Sequence, residues 1–239
     1  MSVADQSSPP TEFEGLRPAE AFSLAERKAV YRALETRRDV RSQFLPDALP
    51  DEVLSRILRA AHCAPSVGLM QPWNFILIRD LERRRRIHRL FARRNAEAAT
   101  MFEAARASRY RSMKLEGILT APLNVCVTCD RSRRGPIVLG RTHQRDTDIY
   151  STVCAVQNIW IAARSEGVGV GWVSIFDPQD LKSILRLPDE ISVIAFLCIG
   201  YVDHLYDRPE LELNGWSSRL DLRDLIFDEH WKNETKLKI

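Results

Sequence analysis

The chain has 239 residues, of which 45% are hydrophobic and 28% are charged, and this suits one globular domain with a large core. Its 35 basic and 32 acidic side chains leave a net charge of +3, too balanced to indicate nucleic-acid binding. No apolar run approaches the roughly 20 residues that cross a bilayer, and the polar start has no signal-peptide pattern. We therefore expect a cytoplasmic protein with a flexible N-terminus at residues 1–20, one domain over residues 21–239, and neither nucleic acid nor membrane as a partner.

Cysteine and histidine usage argues against a metal or disulfide site. The five cysteines are an odd number, which does not suit a disulfide framework. Cys126 and Cys129 have the C-x-x-C spacing but lie in an apolar run that predicts a strand, where residues three apart face opposite sides. The histidines show no H-x-x-x-H spacing. We expect Cys126 and Cys129 to fill the core, and we expect no metal.

Two helices are predicted in the first quarter of the chain. Ser23 and Glu26 have the spacing of a capping box, which opens a helix running through about Thr36. Pro50 and two acidic residues start a second helix, whose apolar residues recur at helical spacing up to Ala61. This helix leads into the loop around which the rest of the chain is arranged.

That loop joins the second helix to the strand predicted at Phe75–Ile78. Such junctions receive flat ligands, because loop amides and short polar side chains lie beside an apolar sheet edge. Gln71 offers both a donor and an acceptor, which matches the pyrimidine edge of a flavin ring. Taken singly, each residue of this loop fits a turn or core role better than a ligand contact. The residues predicted to line the ring are Pro65, Ser66, Met70 and Gln71.

The highly charged segment from residue 81 to about 114 predicts helix with one or two breaks. Four successive arginines at 83–86 go round a helix rather than forming one flat face, so they indicate a solvated surface. Apolar groups are scattered among the charges. This mixture favours a mobile lid over residues 91–114.

The second half of the chain alternates further strands and helices. An apolar run at 123–129 predicts a strand, and the broad apolar coverage of a helix from about Asp146 predicts that it is buried centrally. Glycines alternate from 167 to 171 in the order helix, glycine loop, strand, the reverse of a dinucleotide-binding motif. We expect them to cap the helix and to let a ligand approach the strand backbone. With a long strand at 191–202, the class is α/β or α+β.

A group of arginines follows the first helix and could bind phosphate. Arg37, Arg38 and Arg41 could hold it bidentately, although surface salt bridging is an equal alternative. Asp39 lies among them, either as charge balance or as a carboxylate that accepts a proton from a reacting group. The residues that could form an opposite wall of the ring site are Gly171, Trp172, Val173 and Ser174.

Together these motifs resemble the FMN-dependent nitroreductase superfamily, over residues from about Arg32 to Phe227. The resemblance is carried by the motifs Arg37-Arg38-x-x-Arg41, Ala64-Pro-Ser66 with Gln71-Pro-Trp-Asn74, and Gly169-x-Gly171-Trp172. It implies an α+β fold in which helices surround a central mixed sheet of about four to five strands. It also implies an intertwined homodimer that binds flavin at its interface, with residues 215–239 as a C-terminal arm.

The details resemble the branch of this superfamily that makes 5,6-dimethylbenzimidazole, the lower ligand of vitamin B12. Ordinary members usually carry serine where this chain has Asp39. The resemblance implies that reduced FMN is the substrate and O₂ the co-substrate, that erythrose 4-phosphate is released, and that no metal is needed. It also implies a separate NAD(P)H-dependent flavin reductase that supplies reduced FMN.

The same resemblance implies roles for particular residues. Asp39 would shuttle protons and Ser174 would orient the oxygenated flavin, so these two are the candidate catalytic residues. Arg219 would join the three arginines of the N-terminal motif at the phosphate, with Arg208 as the alternative.

Two other functions stay open at this point. A conventional NAD(P)H-dependent FMN nitroreductase or flavin reductase would keep its flavin and oxidise NAD(P)H directly; the negative charge of Asp39 argues against it. A non-catalytic flavin-binding protein would return reduced FMN intact as oxidised FMN.

Overall fold

The computed structural model describes residues 19–238, so almost all of the predicted flexible segment at residues 1–20 lies outside the described residues. The described chain forms seven α-helices and four β-strands, the α+β class that the sequence predicts. The helices are α1 (Leu24–Thr36), α2 (Asp51–His62), α3 (Leu81–Ala99), α4 (Ala104–Ser112), α5 (Thr147–Ser165), α6 (Pro178–Leu185) and α7 (Glu210–Leu213). The strands are β1 (Trp73–Ile78), β2 (Leu123–Asp130), β3 (Val168–Val173) and β4 (Ile191–Tyr201). Short 3₁₀ turns lie at Val67–Leu69 and Leu222–Leu225.

The four strands form one sheet in the order β1-β2-β4-β3, and every neighbouring pair is antiparallel. The prediction of a mixed sheet is therefore wrong for these four strands. The crossover through α5 does leave β2 and β3 parallel, but β4 inserts between them, so neither has a parallel neighbour in the sheet. Among residues 19–238, a parallel pairing is found outside the four strands, as an isolated bridge between Asp39 and Val170 at the outer edge of β3.

Alternating side chains of β2 enter two cores, one on each face of the sheet. Val125 and Val127 pack with α2 and α5, whereas Cys126 packs with α3 and α6. Burial raises the pKa of the Cys126 thiol to about 12. Cys129 is also fully buried, and both cysteines are unpaired. The prediction that these cysteines fill the core is confirmed.

Helix α1 begins with the predicted capping box. The Glu26 backbone N–H donates to the Ser23 hydroxyl at 3.3 Å, and the Ser23 N–H donates to the Glu26 carboxylate at 2.7 Å. None of the residues of α1 is buried, and Tyr31 on this helix is 62% exposed. The cap therefore stabilises a helix that contacts α5 but leaves Val30, Tyr31 and Leu34 exposed.

Helix α5 is less central than its composition predicts. One face packs on α2 and the sheet, while Tyr150 and Val153 on the other face are exposed. The apolar residues on this helix thus cover more surface than α2 and the sheet bury. Gly167 ends the helix with φ at +73° and a backbone N–H that donates to the Arg164 carbonyl, as predicted for a cap.

The charged segment after β1 forms α3 and α4, and it packs on the start of the C-terminal segment. Phe102, Tyr110 and Trp216 form an aromatic cluster with centroid separations of 5.0, 5.2 and 6.1 Å. The Arg106 guanidinium lies over the Trp216 ring, 4.4 Å from its centroid. The predicted lid and the predicted arm are thus joined at one point. Within residues 19–238, no helix has the length and apolar character needed to span a membrane.

Candidate active site

The arginine motif lies along the outer edge of β3 and pairs with it at an isolated bridge. The Val40 N–H donates to the Val170 carbonyl at 3.0 Å, next to the bridge formed by Asp39. A Cβ atom at Gly171 would lie 1.9 Å from the Val40 carbonyl oxygen, and one at Gly169 would lie 2.9 Å from a Val40 methyl group. Gly171 therefore makes room for the Val40 backbone and Gly169 for the Val40 side chain, whereas the sequence predicted that a ligand approaches here. The predicted glycine loop is also the first part of β3 itself.

Gly171→Ala is expected to destabilise the fold, because the methyl group would push residue 40 off β3. Overpacking of this kind costs about 1–3 kcal/mol or more. The midpoint of urea unfolding should fall accordingly. Gly135→Asn is the matched control, because no atom lies within 4 Å of its Cβ position and asparagine tolerates its positive φ. Equal midpoints for the two variants would contradict the close packing.

Asp39 is held at both carboxylate oxygens. Oδ1 accepts the Trp172 backbone N–H at 2.8 Å, and Oδ2 accepts from the Arg41 guanidinium at 2.8 Å. Burial raises the pKa of this carboxyl, and the positive charge of Arg41 partly offsets that rise. Asp39 is thus a fixed carboxylate in a site that favours uptake of a proton, as an acid–base group requires.

Arg37 and Arg38 flank this carboxylate and retain unused donors. The Arg37 guanidinium lies 5.5 Å from the centroid of the Trp160 ring, whose indole N–H in turn donates to the Val170 carbonyl at 3.0 Å. Arg38 donates to the carbonyls of Glu35 and Asp207. The buried Nε atoms of both arginines have no hydrogen-bond partner among the described residues. Two buried guanidinium donors fit a phosphate group.

The C-terminal segment brings Arg219 to the same place. Burial lowers the pKa of the Arg38 guanidinium first, and the positive charge of Arg219 is the next contribution. Arg208 lies in the same segment, but its guanidinium is 4.0 Å from each of the Asp207 and Glu212 carboxylates. Of the two arginines considered from the sequence, Arg219 adds the less compensated positive charge beside the N-terminal motif.

Ser174 follows the end of β3, two residues beyond the Trp172 amide that binds Asp39. Its side chain is exposed, and its hydroxyl makes no hydrogen bond to the described residues. Val173 beside it is buried in the core on the α3 side of the sheet. At this end of β3, Ser174 is thus free to bind a ligand, whereas Val173 supports the strand from beneath.

The loop predicted to line the flavin ring is a tightly held turn. Gln71 has φ at +48°, and its backbone N–H donates to the Ser66 hydroxyl at 3.0 Å. Pro65 is exposed, whereas Met70 is fully buried beneath the turn. A side chain such as Gln71 in the left-handed region carries backbone strain, which accumulates at functional sites.

Arg133 holds this turn, and sequence reasoning did not identify it. Its guanidinium donates to the carbonyl of Gln71 at 2.6 Å, to the carbonyl of Trp73 at 3.0 Å and to the side chain of Asn74 at 2.5 Å. The one available signal was the basic composition of the loop after β2. Composition alone does not reveal that one arginine in that loop folds back over β1.

Helix α5 separates the two halves of the predicted site. The Ser151 hydroxyl near its start accepts the Val67 N–H of the ring loop, and Arg164 near its end donates to the Thr36 hydroxyl beside the arginine motif. Thirteen residues at 1.5 Å each place these two contacts about 20 Å apart. The two halves also lie at opposite edges of the sheet, beside β1 and β3. The structure therefore brings together the arginine motif, Asp39 and the end of β3, but not these residues and the ring loop.

Comparison with known proteins places this site in a family. The Nitroreductase family profile matches residues 34–201, which include both halves of the site. The fold is similar to that of an iodotyrosine deiodinase solved with FMN and 3-iodo-L-tyrosine, with a TM-score of 0.63 and 22% identity over 74% of this chain and 91% of that one. At that identity the likeness concerns the fold alone.

Two relatives are closer in sequence and share one name. A 5,6-dimethylbenzimidazole synthase of Rhodospirillum rubrum is 40% identical over 204 residues, covering 85% of this chain and 96% of the relative. Another of that name from Rhodobacter capsulatus is 34% identical over 199 residues, covering 83% and 96% respectively. The chain therefore belongs to the nitroreductase family and, within it, to the 5,6-dimethylbenzimidazole synthases.

Proposed function

We propose that this protein is an oxidoreductase that uses O₂ to break reduced FMN down to 5,6-dimethylbenzimidazole and erythrose 4-phosphate. The observation that carries the proposal is Asp39, a carboxylate fixed between the Trp172 amide and Arg41 at the edge of β3. An acid–base group in that position serves a reaction that must move protons on the flavin and its side chain. A reductase that passes a hydride through an intact flavin has less need of it.

Arg37, Arg38 and Arg219 hold the FMN phosphate in this proposal. The orphaned Nε donors of the first two arginines support it, as does the proximity of Arg219 to Arg38. The two carboxylate partners of Arg41 reduce its share in phosphate binding.

The flavin ring lies between the turn at 65–71 and the end of β3. The turn supplies Pro65, Ser66 and Gln71 on one side, and Met70 supports it from below. On the other side, Trp172 supplies backbone beside Asp39, and the exposed Ser174 supplies a hydroxyl at the end of β3. The flavin supplies the reactivity toward O₂. The chain orients it, keeps water away and moves protons at Asp39.

Both walls reach one ring in a homodimer, in which the arginine motif of one protomer meets the turn of its partner. The 20 Å between these halves along α5 exceeds the reach of a ribityl chain. The exposed apolar faces of α1 and α5 support this assembly, and so do Leu220, Leu225 and Trp231 of the arm, the last 77% exposed. A complete site thus needs two copies of the chain.

The decisive experiment mixes the purified protein with chemically reduced FMN and air, followed by chromatography of the products. We expect 5,6-dimethylbenzimidazole without added metal and with a chelator present. In cells a separate NAD(P)H-dependent flavin reductase supplies the reduced FMN. NAD(P)H oxidation by the protein alone would favour a conventional reductase, and quantitative return of oxidised FMN would favour a binding protein.

Ser174→Ala is expected to lower the yield of benzimidazole per flavin bound more than it lowers the affinity for FMN. Losing the one free hydroxyl at the end of β3 leaves the oxygenated flavin poorly oriented, so about tenfold less benzimidazole forms per flavin bound. The rest returns as oxidised FMN in a single-turnover experiment. Ser183→Ala on α6 is the control, since that hydroxyl donates to the Gln179 carbonyl of its own helix. An unchanged product ratio for Ser174→Ala would count against the assignment.

A further inference from the structure

The Arg41 guanidinium lies between two carboxylates from distant parts of the chain. Its Nη2 is 2.8 Å from Asp39 Oδ2, and its Nη1 is 3.5 Å from Glu210 Oε2. The Arg41 and Glu210 side chains are only 12% and 15% exposed, while that of Asp39 is 30% exposed. The guanidinium is therefore largely withdrawn from solvent and turned toward the carboxylate that faces the site.

Glu210, the first residue of α7, directs its carboxylate to Arg41. Its Oε2 is buried and makes no hydrogen bond to the described residues, so its one charged partner is Arg41. The preceding residues are tied to the arginine motif, because Arg38 donates to the Asp207 carbonyl and the Asp203 N–H donates to the Gln43 carbonyl. A carboxylate placed against a guanidinium by such contacts fixes the direction of the guanidinium.

We propose that Arg41 and Glu210 are positioning residues that act through Asp39, with Glu210 aiming the Arg41 guanidinium at Asp39 rather than at the phosphate. This inference rests on the proposed function, in which Asp39 exchanges protons with the flavin. With the Trp172 N–H on Oδ1 and Arg41 on Oδ2, the carboxylate is fixed at both ends. One lone pair of each oxygen is left for the reacting group.

The pair also tunes Asp39 electrostatically, in opposite directions. Arg41 and Arg37 lower the pKa of the Asp39 carboxyl, whereas burial and the negative charge of Glu210 raise it. From β4 the site is faced by Cys198, whose pKa is raised by burial, so this thiol stays neutral. Neutralising either member of the pair should therefore shift the pKa of Asp39, and the two shifts should have opposite signs as long as Arg41 keeps its partner at position 210.

The first test follows the Asp39 carboxyl by ¹³C NMR in the flavin-free protein, with Asp39→Asn to assign the signal. Glu210→Gln removes the charge but keeps an oxygen that can hold Arg41, so it is expected to lower the pKa of Asp39, whereas Arg41→Gln is expected to raise it. Glu210→Ala also releases the guanidinium, so the pKa of Asp39 should be higher in this variant than in Glu210→Gln. Glu190→Gln, an exposed residue in the turn before β4, controls for the change in net charge. Arg41→Lys should restore part of the effect, because it keeps the charge but not the planar fork. Shifts of one sign for both variants, or none, would overturn the inference.

The second test compares binding of FMN and riboflavin, which differ by the phosphate. A positioning role predicts that Arg41→Gln weakens both ligands by a similar, small factor and slows product formation at neutral pH about tenfold. A selective loss of FMN affinity would make Arg41 a phosphate ligand and overturn the inference. If the unaltered protein forms no benzimidazole while the NMR shifts appear as expected, then the proposed function fails and the positioning of Asp39 stands.

Discussion

Replacing Asp39 with asparagine is expected to lower the rate of benzimidazole formation by about 10²–10⁴-fold, the usual contribution of a positioned acid–base group. The change is nearly isosteric, and the asparagine oxygen can still accept the Trp172 N–H. It removes the charge and the ability to exchange a proton. The measurement is single-turnover product formation from reduced FMN and air, with FMN affinity determined in parallel.

The same substitution should not weaken the fold. Because burial raises the pKa of Asp39 above its unfolded value, the folded protein binds the proton more tightly, and the ionised carboxyl costs stability once the pH exceeds the folded pKa. Asp39→Asn should therefore have an equal or higher midpoint of thermal unfolding at neutral pH. Asp47→Asn, exposed in the loop after the motif, should change neither property. Activity of Asp39→Asn near that of the unaltered protein would refute the proton-exchange role.

Mixing two inactive variants is expected to restore activity, if the site is built from two protomers. Asp39→Asn disables the arginine side, and Gln71→Glu places a negative charge against the flavin ring. A heterodimer of these chains has one site with both changes and one site with neither. Random pairing makes half of the dimers mixed, so about a quarter of the normal activity should return. Co-expression with two different tags provides the mixed dimers.

A matched mixture controls for this experiment. Asp39→Asn combined with Arg38→Ala puts both changes in the same segment, so every mixed dimer has one change in each site and should stay inactive. No recovery in the first mixture would show that a single chain supplies the whole site. Recovery in this control would show that Asp39 and Arg38 of one chain do not act in the same site. The quarter recovery depends on the placement of the two halves and not on the chemistry assigned to either.

Local signals predicted most of the elements. The capping box at Ser23, the proline and acids at the start of α2 and the apolar runs of β1, β2 and β4 each act over a few neighbouring residues, and each appears where the sequence indicated. Sheet order is a different kind of property. Nothing within β4 shows that it inserts between β2 and β3, because that depends on burying both faces of the whole sheet.

The same limit applies to the site: residues close in sequence were identified, whereas contacts between distant parts of the chain were not. Arg37, Arg38, Asp39 and Trp172 were identified from adjacent letters, and the structure brings them together. The partnership of Arg41 with Glu210 spans 169 residues of chain, and a lone glutamate in a polar segment carries no sign of it. The prediction for Gly171 was wrong because the group packed against it is the Val40 carbonyl, which leaves no room for a side chain at position 171.

The aromatic cluster that joins α4 to Trp216 has a thermodynamic consequence. Arg219 lies three residues after Trp216, so whatever orders the α3–α4 segment also restricts the arginine proposed to bind phosphate. Packing of α4 on Trp216 and phosphate binding at Arg219 both require this segment to be ordered, so the two events are coupled, and the coupling is reciprocal. Phosphate bound at Arg219 would stabilise the packed form of α4 by the same free energy by which that packing strengthens phosphate binding. With phosphate bound at Arg219, the α3–α4 segment and the segment around Trp216 would therefore respond as one cooperative unit.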